Sequence, residues 1–350
     1  MKVKELVRYL ESIAPPSYQE GYDNAGLITG DYNWELSGVI TCLDSTEAVI
    51  EEAIAKGCNL VVAHHPIVFK GLKRFNGNNY VERVIIKAIQ HNIAIYAIHT
   101  NLDNVYHKGV NAKIAEKLQL RETKILAPKK TLLKLVAYVP IDESDTITNA
   151  LFEAGAGQLH PHTNLSFLST GTATINEKSE TLAKLELSLP RAKKGAILNA
   201  LFKAYQPAST NYQLSSIDNT DAAIGSGIIG QLDKPMKGEA FLKYLKKQMN
   251  VGCIKHTALL DQDIKTVAVC GGAGGFLLRN AISKGADVFI TSDYKYHEFF
   301  DADNKIMIAD IGHYESEQFT IELLFELISE KFSNFAVHCT EVITNPVHYF

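Results

Sequence analysis

Apolar residues along this chain follow the period of a strand in some segments and the period of a helix in others. The alternation of such segments predicts a sheet covered by helices. Short β-rich runs, such as residues 38–44 and 58–66, predict buried strands, and residues 45–57 between them predict a helix. The same rhythm returns in residues 80–100 and 264–332. Strands that alternate with helices are typical of a largely parallel sheet, so the sequence predicts an α/β fold.

Several residues mark where these elements should begin and end. Ser45 precedes the helix of residues 45–57 and is its predicted N-cap, with Gly57 as the C-cap. Near the end of the chain, residues 314–332 predict one long helix. Residues 335–344 close the chain.

The middle of the chain follows a different pattern, which predicts an inserted domain. Residues 127–219 contain two strand–helix units, and both helices carry the sequence NALF, at 149–152 and 199–202. Two such units with extra strands predict a ferredoxin-like α+β module. The sequence thus predicts a discontinuous α/β core, made of residues 1–126 and 220–350, that the module interrupts.

Composition narrows the classes of function. A chain of 350 residues with 46% hydrophobic and 21% charged residues is typical of a globular protein. The net charge of −4 gives no large positive field for nucleic acid. The N-terminal stretch is charged where a signal peptide is apolar, and no apolar run reaches the roughly 18 residues of a membrane span. Five scattered cysteines without CxxC indicate free thiols in a reducing compartment, so we expect a cytoplasmic protein.

Candidate chemistry follows two neighbouring strands. His64 and His65 end an apolar strand, where open α/β sheets place their sites, and the turn at Pro66 could bring both imidazoles together. The alternative is two exposed turn histidines. His99 and Asp103 follow the next strand, at the same end of a parallel sheet. Alone, Asp103 would more often be a helix cap or a turn residue.

A further pair of candidate ligands lies at the start of a predicted helix. His313 and Glu317 are four residues apart, so they share one face, as paired ligands do in metallohydrolases. The alternative is a hydrogen-bonded pair at a helix terminus. Together the candidates are three histidines and two carboxylates at one sheet edge, without a thiolate, which suits zinc, iron, manganese, cobalt or nickel. Five ligands exceed the three of a catalytic zinc and fit two bridged metals.

Other polar residues at predicted strand ends have weaker signals. Asp44, Asp293 and His297 could orient ligands or move protons, or they could simply cap local turns. The glycine-rich residues 271–275 could cradle a phosphate, but they lack the lysine of a P-loop, so a tight turn between strand and helix is the better interpretation. Residues 23–27 have the signature of a turn.

The order of five segments resembles the NGG-interacting factor 3-like family, whose members are often labelled GTP cyclohydrolase I type 2 homologs. These segments are DNAGLITG (23–30), AHHP (63–66), HTNLD (99–103), ITSDYKYHE (290–298) and DIGHYESE (310–317). The resemblance covers nearly the whole chain. Two departures stand out: Ser292 replaces the usual glycine, and the insert segment 204–213 lacks the histidine and acids of many relatives.

The resemblance implies a metal centre and an assembly. The implied ligands of two divalent ions per chain (zinc, iron or manganese) are His64, His65, Asp103, His313 and Glu317. Candidates for proton transfer or for orienting ligands are Asp293, His297 and His99. The implied architecture is a layered NGG-interacting-factor-3-like core with a ferredoxin-like insert similar to trimeric signalling and metal-tolerance proteins. The implied assembly is a homohexamer of two stacked trimers, forming a toroid.

Two functions stay open. The first is a metal-dependent hydrolase of a nucleotide-like small molecule, in which metal-bound hydroxide attacks a ring carbon, as in a GTP cyclohydrolase, or a phosphoester. The second is a non-catalytic metal-binding or regulatory hexamer whose insert gates the cavity or senses a ligand. A third interpretation, in which the clusters serve only local hydrogen bonding, is disfavoured by five ligand-type residues at strand ends.

Overall fold

The chain forms two compact units, each with its own core. The computed structural model describes residues 1–159, 161–175, 177–206 and 211–350. The first unit comprises Met1–Ala127 and Gly225–Phe350, and the second comprises Pro128–Ile224. The insert segment 204–213 falls partly outside the described residues. Among the described helices, none is both long and apolar enough to cross a membrane.

The elements alternate along most of the chain. The strands are β1 Gly26–Thr29, β2 Val39–Cys42, β3 Leu60–Ala63, β4 Ala94–Ala97, β5 Arg121–Pro128, β6 Leu132–Val139, β7 Ser166–Ile175, β8 Lys178–Pro190, β9 Tyr212–Ser216, β10 Gly225–Met236, β11 Lys255–His256, β12 Ile264–Val269, β13 Val288–Thr291, β14 Met307–Asp310 and β15 Val337–Cys339. The α-helices are α1 Val3–Ile13, α2 Glu47–Ala55, α3 Tyr80–Gln90, α4 Thr100–Asp103, α5 Val110–Lys117, α6 Ser144–Glu153, α7 Lys194–Ala204, α8 Gly238–Gln248, α9 Leu278–Ser283, α10 His313–Glu317 and α11 Thr320–Lys331.

Two sheets, not one, build the first unit. The five-stranded sheet has the order β1-β4-β3-β2-β15, and the six-stranded sheet has the order β11-β14-β13-β12-β10-β5. Strands β2, β3 and β4 are parallel in the first sheet, and β12, β13 and β14 are parallel in the second. The fold-class prediction of a mixed α/β protein is confirmed. The prediction of a single sheet edge is wrong, because apolar runs show that strands are buried but not which strands pair.

The central strands are buried on both faces, which explains their continuous apolar sequences. Every residue of β2, β3 and β4 is buried, as parallel strands covered by helices require. In the first sheet, Ile40 and Val61 pack in one core with Ile50 of α2 and Val84 of α3. A second core forms around Phe289 of β13 with residues of α9. Each sheet therefore packs against helices in a core of its own.

The second unit has a separate architecture. Its elements follow the order β6-α6-β7-β8-α7-β9 along the chain. They form one four-stranded sheet of order β7-β8-β6-β9, in which every adjacent pair is antiparallel. Leu135 and Leu185 of the sheet pack with Ile147 of α6 and Ile197 of α7 in its own core.

Some predicted boundaries are wrong. Thr46, not Ser45, caps α2, because the Thr46 side chain accepts a hydrogen bond from the backbone N–H of Val49. The predicted helix 314–332 is two helices, α10 and α11, and at the break the Gln318 side chain donates to the carbonyl of Met249. Within residues 335–344, Val337–Cys339 form β15, which pairs with β2.

We expect Thr46→Ala to lower the free energy of unfolding of the metal-free protein by about 1 kcal/mol, because an N-cap oxygen is lost. Ser45→Ala is the matched control, since Ser45 is not the residue that caps α2. Urea unfolding of the two variants measures the difference. A larger loss for Ser45→Ala than for Thr46→Ala would contradict this assignment of the cap.

Candidate metal centre

The carboxyl edge of the five-stranded sheet contributes three candidate ligands. His64 and His65 come directly after β3, and their backbone N–H groups donate to the carbonyls of Cys42 and Leu43 at 3.1 and 2.9 Å. The sheet ladder therefore continues through the two histidines and fixes their backbone. Asp103 lies at the end of α4, the short helix that follows β4.

The carboxyl edge of the six-stranded sheet contributes the other two candidate ligands, His313 and Glu317. Gly312 follows β14 with a φ of 92°, a conformation that favours glycine, and α10 begins directly after it. A β-carbon at Gly312 would come within 2.2 Å of the Glu315 carboxylate. Within α10, His313 Nε2 lies 3.1 Å from Glu317 Oε2. The predicted single edge is thus two edges, one from each sheet, that meet at these side chains.

Glu317 is the centre of the cluster. Its Oε2 lies 3.0 Å from His65 Nε2 and 3.1 Å from His313 Nε2, and its Oε1 lies 3.8 Å from His64 Nε2. Asp103 Oδ1 lies 3.5 Å from the same His64 atom. Two groups with metal-ligand spacing result, and Glu317 belongs to both: His64, Asp103 and Glu317, and His65, His313 and Glu317. His99 forms a third group with His64 and His65.

The histidines are oriented from behind, through Nδ1. In each case this atom lies 2.7–2.8 Å from an oxygen: Ile98 O for His64, Asp44 for His65, Asp23 for His99 and Asp293 for His313. A carbonyl oxygen can only accept, so Nδ1 of His64 carries a proton and its Nε2 is free for a ligand. Carboxylate or carbonyl partners behind the imidazole are the usual arrangement at histidine metal ligands.

The residues present fit a metal ion. His64 Nε2 and Asp103 Oδ1 are buried, and neither has a hydrogen-bond partner among the described residues. Leaving such an atom unpaired costs about 1–3 kcal/mol. A cation bound between a nitrogen lone pair and a carboxylate oxygen would satisfy both atoms. The histidine and carboxylate clusters could therefore hold metal ions.

The charges of the cluster also fit a metal ion. Burial, and then the negative charge of Glu317, raise the pKa of Asp103 to about 8. Burial would lower the pKa of His65, but hydrogen bonds with Asp44 and Glu317 outweigh it and raise that pKa to about 10. The pKa of His313 is raised to about 9, because Glu317 and Asp293 outweigh burial. Burial favours the neutral form of Glu317, yet the surrounding imidazoles hold its pKa well below its usual value. The metal-free cluster therefore holds protons at neutral pH.

The glycine-rich loop of residues 271–275 covers the cluster. Gly272 has a φ of 63°, and a β-carbon there would lie 2.5 Å from Glu317 Oε1. The N–H of Gly272 donates to Ser316 Oγ, and that of Gly274 donates to Thr291 Oγ1. The loop is thus the tight turn that the sequence favoured, and its glycines let the backbone approach Glu317.

Asp23 is a site residue that the sequence reading missed. Its side chain is buried and accepts hydrogen bonds from the N–H and the hydroxyl of Thr100, besides holding His99. Burial would raise the pKa of Asp23, but these bonds outweigh it and lower that pKa to about 2. Residues 23–27 looked like a turn, and only the family resemblance of the segment indicated more.

Of the other candidate groups, two contact the histidines of the cluster and one does not. Asp44 and Asp293 contact His65 and His313, and Asp293 has a φ of 60°. The ring of His297 lies against that of Tyr296, with a centroid distance of 5.2 Å, and within the described part of the chain no hydrogen bond or ion pair joins His297 to the cluster. A role for His297 stays a prediction.

A cavity of about 190 Å³ lies beside the cluster. Asp103 and Glu317 lie in its wall, together with His99 and two aromatic residues, Tyr22 and Phe276. A small molecule in this cavity would contact both the cluster and an apolar surface.

A family model described as Duf34/NIF3 (NGG1p interacting factor 3) matches residues 1–346. The chain belongs to this family. Two relatives bear the name GTP cyclohydrolase 1 type 2 homolog. That of Bacillus subtilis is 32% identical, and the match covers 98% of this chain and 97% of the relative. That of Halalkalibacterium halodurans is 34% identical, and the match covers 98% and 96%. The family prediction from the sequence is confirmed.

Solved structures agree with the assignment to the Duf34/NIF3 family. A Bacillus cereus protein related to NIF3 superposes with a TM-score of 0.86 at 31% identity, over 100% of this chain and 99% of the other. A Staphylococcus aureus protein superposes with a TM-score of 0.82 at 32% identity, also over 100% and 99%. The fold described above is therefore that of the family.

We expect metal affinity to rise as the pH rises from about 6 to 9. A cation must displace protons from His65, His313 and Asp103, whose pKa values in the metal-free protein are about 10, 9 and 8. Calorimetric titration of the metal-free protein with Zn²⁺, in buffers of different ionisation enthalpy, measures the protons released. Zn²⁺ binding that releases no protons at pH 7 would contradict this expectation.

Proposed function

We propose that this protein binds two divalent metal ions (zinc, iron or manganese) and hydrolyses a nucleotide-like small molecule. The observation that carries the proposal is the position of Glu317, a buried carboxylate common to two ligand groups. His64 and Asp103 complete one group, and His65 and His313 complete the other. A shared carboxylate is the feature expected of a dinuclear centre.

The metal ions would supply the reactivity, and the chain's own residues would position the reactants. When bound, paired divalent ions lower the pKa of coordinated water to about 7 and stabilise a developing oxyanion. His99 lines the cavity, and its Nδ1 is held by Asp23, so its other nitrogen is placed to move a proton. Asp293 is half exposed and orients His313. We keep His297 as a candidate for proton transfer.

The substrate class rests on the relatives and on the cavity. The relatives are named as GTP cyclohydrolase homologs, which supports a nucleotide-like small molecule. Tyr22 and Phe276 in the cavity wall offer flat apolar surface for a heterocycle. Attack on a ring carbon and attack on a phosphoester both suit the proposed centre, and an assay must distinguish the two reactions.

The second unit supports the alternative, a non-catalytic metal-binding or regulatory protein. We propose that the second unit is a ferredoxin-like insert, similar to trimeric signalling and metal-tolerance proteins. Its βαββαβ order and its antiparallel sheet β7-β8-β6-β9 support this assignment. We further propose that the whole protein is a homohexamer of two trimers. In this alternative, the insert gates the cavity or senses a ligand.

Metal content tests the dinuclear centre. The wild type, purified without a metal-affinity tag, should hold about two equivalents per chain. Glu317→Gln should lose both, because its carboxylate serves both groups, whereas Asp103→Asn and His313→Ala should each retain about one. Elemental analysis of the four proteins measures this. A wild type that binds no metal even after metal is added back would remove the basis of the proposal, and one equivalent in the wild type would indicate a mononuclear site.

Turnover tests the enzyme. We expect metal-dependent hydrolysis of at least one member of a panel of GTP, other nucleotides and phosphoesters. Because the metal centre activates water, Glu317→Gln should lower the rate at least about 100-fold. Chromatographic product analysis separates ring opening from loss of phosphate. A fully loaded wild type without turnover of any panel member would favour the regulatory alternative.

A further inference from the structure

We infer that the segment Thr344–Tyr349 positions the ligands of one of the two proposed metal sites, the one formed by His65, His313 and Glu317. The other proposed site, with His64 and Asp103, is held by the sheet and its neighbouring helices. The segment lies beyond β15 and has no regular secondary structure. The inference rests on the proposed function, because it concerns how that centre is built.

The first chain of hydrogen bonds joins Thr344 to His65 through Asp44. The Thr344 hydroxyl donates to Asp44 Oδ2 at 2.7 Å, and Asp44 Oδ1 lies 2.8 Å from His65 Nδ1. His65 Nε2 in turn lies 3.0 Å from Glu317 Oε2. One carboxylate therefore joins Thr344 to the imidazole. The hydroxyl fixes the rotation of that carboxylate, and the carboxylate fixes the plane of the ring.

The second set of contacts joins the segment to α10. The Asn345 side chain donates to Glu315 Oε1 at 2.9 Å. Glu315 is buried and lies in α10 between His313 and Glu317. The Tyr349 hydroxyl lies 2.8 Å from the position that a β-carbon on Gly312 would occupy, next to Glu315 Oε2. The segment therefore holds the short helix that carries both remaining ligands of this site.

The other group has a different support. His64 Nδ1 donates to the backbone carbonyl of Ile98, at the end of β4, and Asn111 of α5 donates to the carbonyl of Asp103. For the residues that the structure describes, no hydrogen bond joins Thr344–Tyr349 to His64 or Asp103. A backbone support does not change with a side-chain substitution in the segment. Loss of the Thr344 hydrogen bond to Asp44 should therefore weaken the site with His65 selectively, because His65 belongs to that site and is not a ligand of the site with His64 and Asp103.

A matched threonine on the same stretch provides the control. The Thr340 hydroxyl also donates to a carboxylate, that of Glu52 in α2. Glu52 contacts Lys56 and is not a member of the ligand groups. Thr340→Val and Thr344→Val thus remove the same kind of bond, and only the second bond leads to a proposed ligand.

The experiment is a titration of the metal-free protein with Co²⁺, followed by its visible absorption spectrum and by competition with a chelator. We expect Thr344→Val to weaken one of the two Co²⁺ sites by about 10- to 100-fold and to shift its absorption bands, as loss of an orienting partner does. In Thr344→Val, the other Co²⁺ site should keep its wild-type affinity. Both sites of Thr344→Ser and of Thr340→Val should have wild-type affinity and spectra. Asn345→Leu should weaken the same site as Thr344→Val and, to a smaller extent, the other site, because α10 also carries Glu317, which is common to both groups.

Four outcomes would overturn the inference. Equal weakening of both sites in Thr344→Val would indicate a general loss of structure, and so would an equal effect of Thr340→Val. Two wild-type sites that neither Thr344→Val nor Asn345→Leu changes would overturn the inference and leave the proposed function intact. A wild type that takes up no Co²⁺ would instead overturn the proposed function, and the inference would fall with it.

Discussion

The burial of the Glu317 carboxylate is the constraint around which the first unit is built. Only 3% of this residue is exposed, and an ionised carboxylate removed from water is stable only beside positive charge or strong donors. Imidazoles from both sheets supply these partners at 3.0 to 3.8 Å, namely those of His64, His65 and His313. In the metal-free protein, protons on His65 and His313 provide the charge, since the pKa values of both are raised. Divalent ions would take over that role, so folding and metal binding act on the same group.

This constraint explains why backbone comes so close to the cluster. Gly272 and Gly312 both have positive φ, and a β-carbon at either would meet a carboxylate of α10 within 2.5 Å. The turn after β12 can therefore close over Glu317, and the turn after β14 can direct α10 toward the first sheet. The glycines serve the packing of the two sheet edges against each other.

The second unit is built independently of this centre. It has its own sheet and its own apolar core, from Leu135 to Leu201. A unit with a complete core does not need the ligands of the first unit to bury its apolar surface.

The family, the fold class and the identity of the clustered residues followed from the sequence. Strand ends are marked by the change from apolar to polar residues, and parallel strands place such ends at one edge, so His64, His65 and Asp103 could be grouped. The helical spacing of four placed His313 and Glu317 on one face. These are local signals, because period and spacing depend only on neighbouring residues.

Tertiary structure alone decided what depends on contacts between distant residues. Burial patterns do not state which strands pair, so the two-sheet arrangement was not predictable from them. Asp23 was read as a turn residue, because its partner His99 lies 76 positions away. Nothing in the sequence indicated a role for Thr344, although its hydroxyl donates to Asp44 across 300 positions. A hydrogen bond between such residues leaves no period in the sequence, and only the folded chain brings its two atoms together.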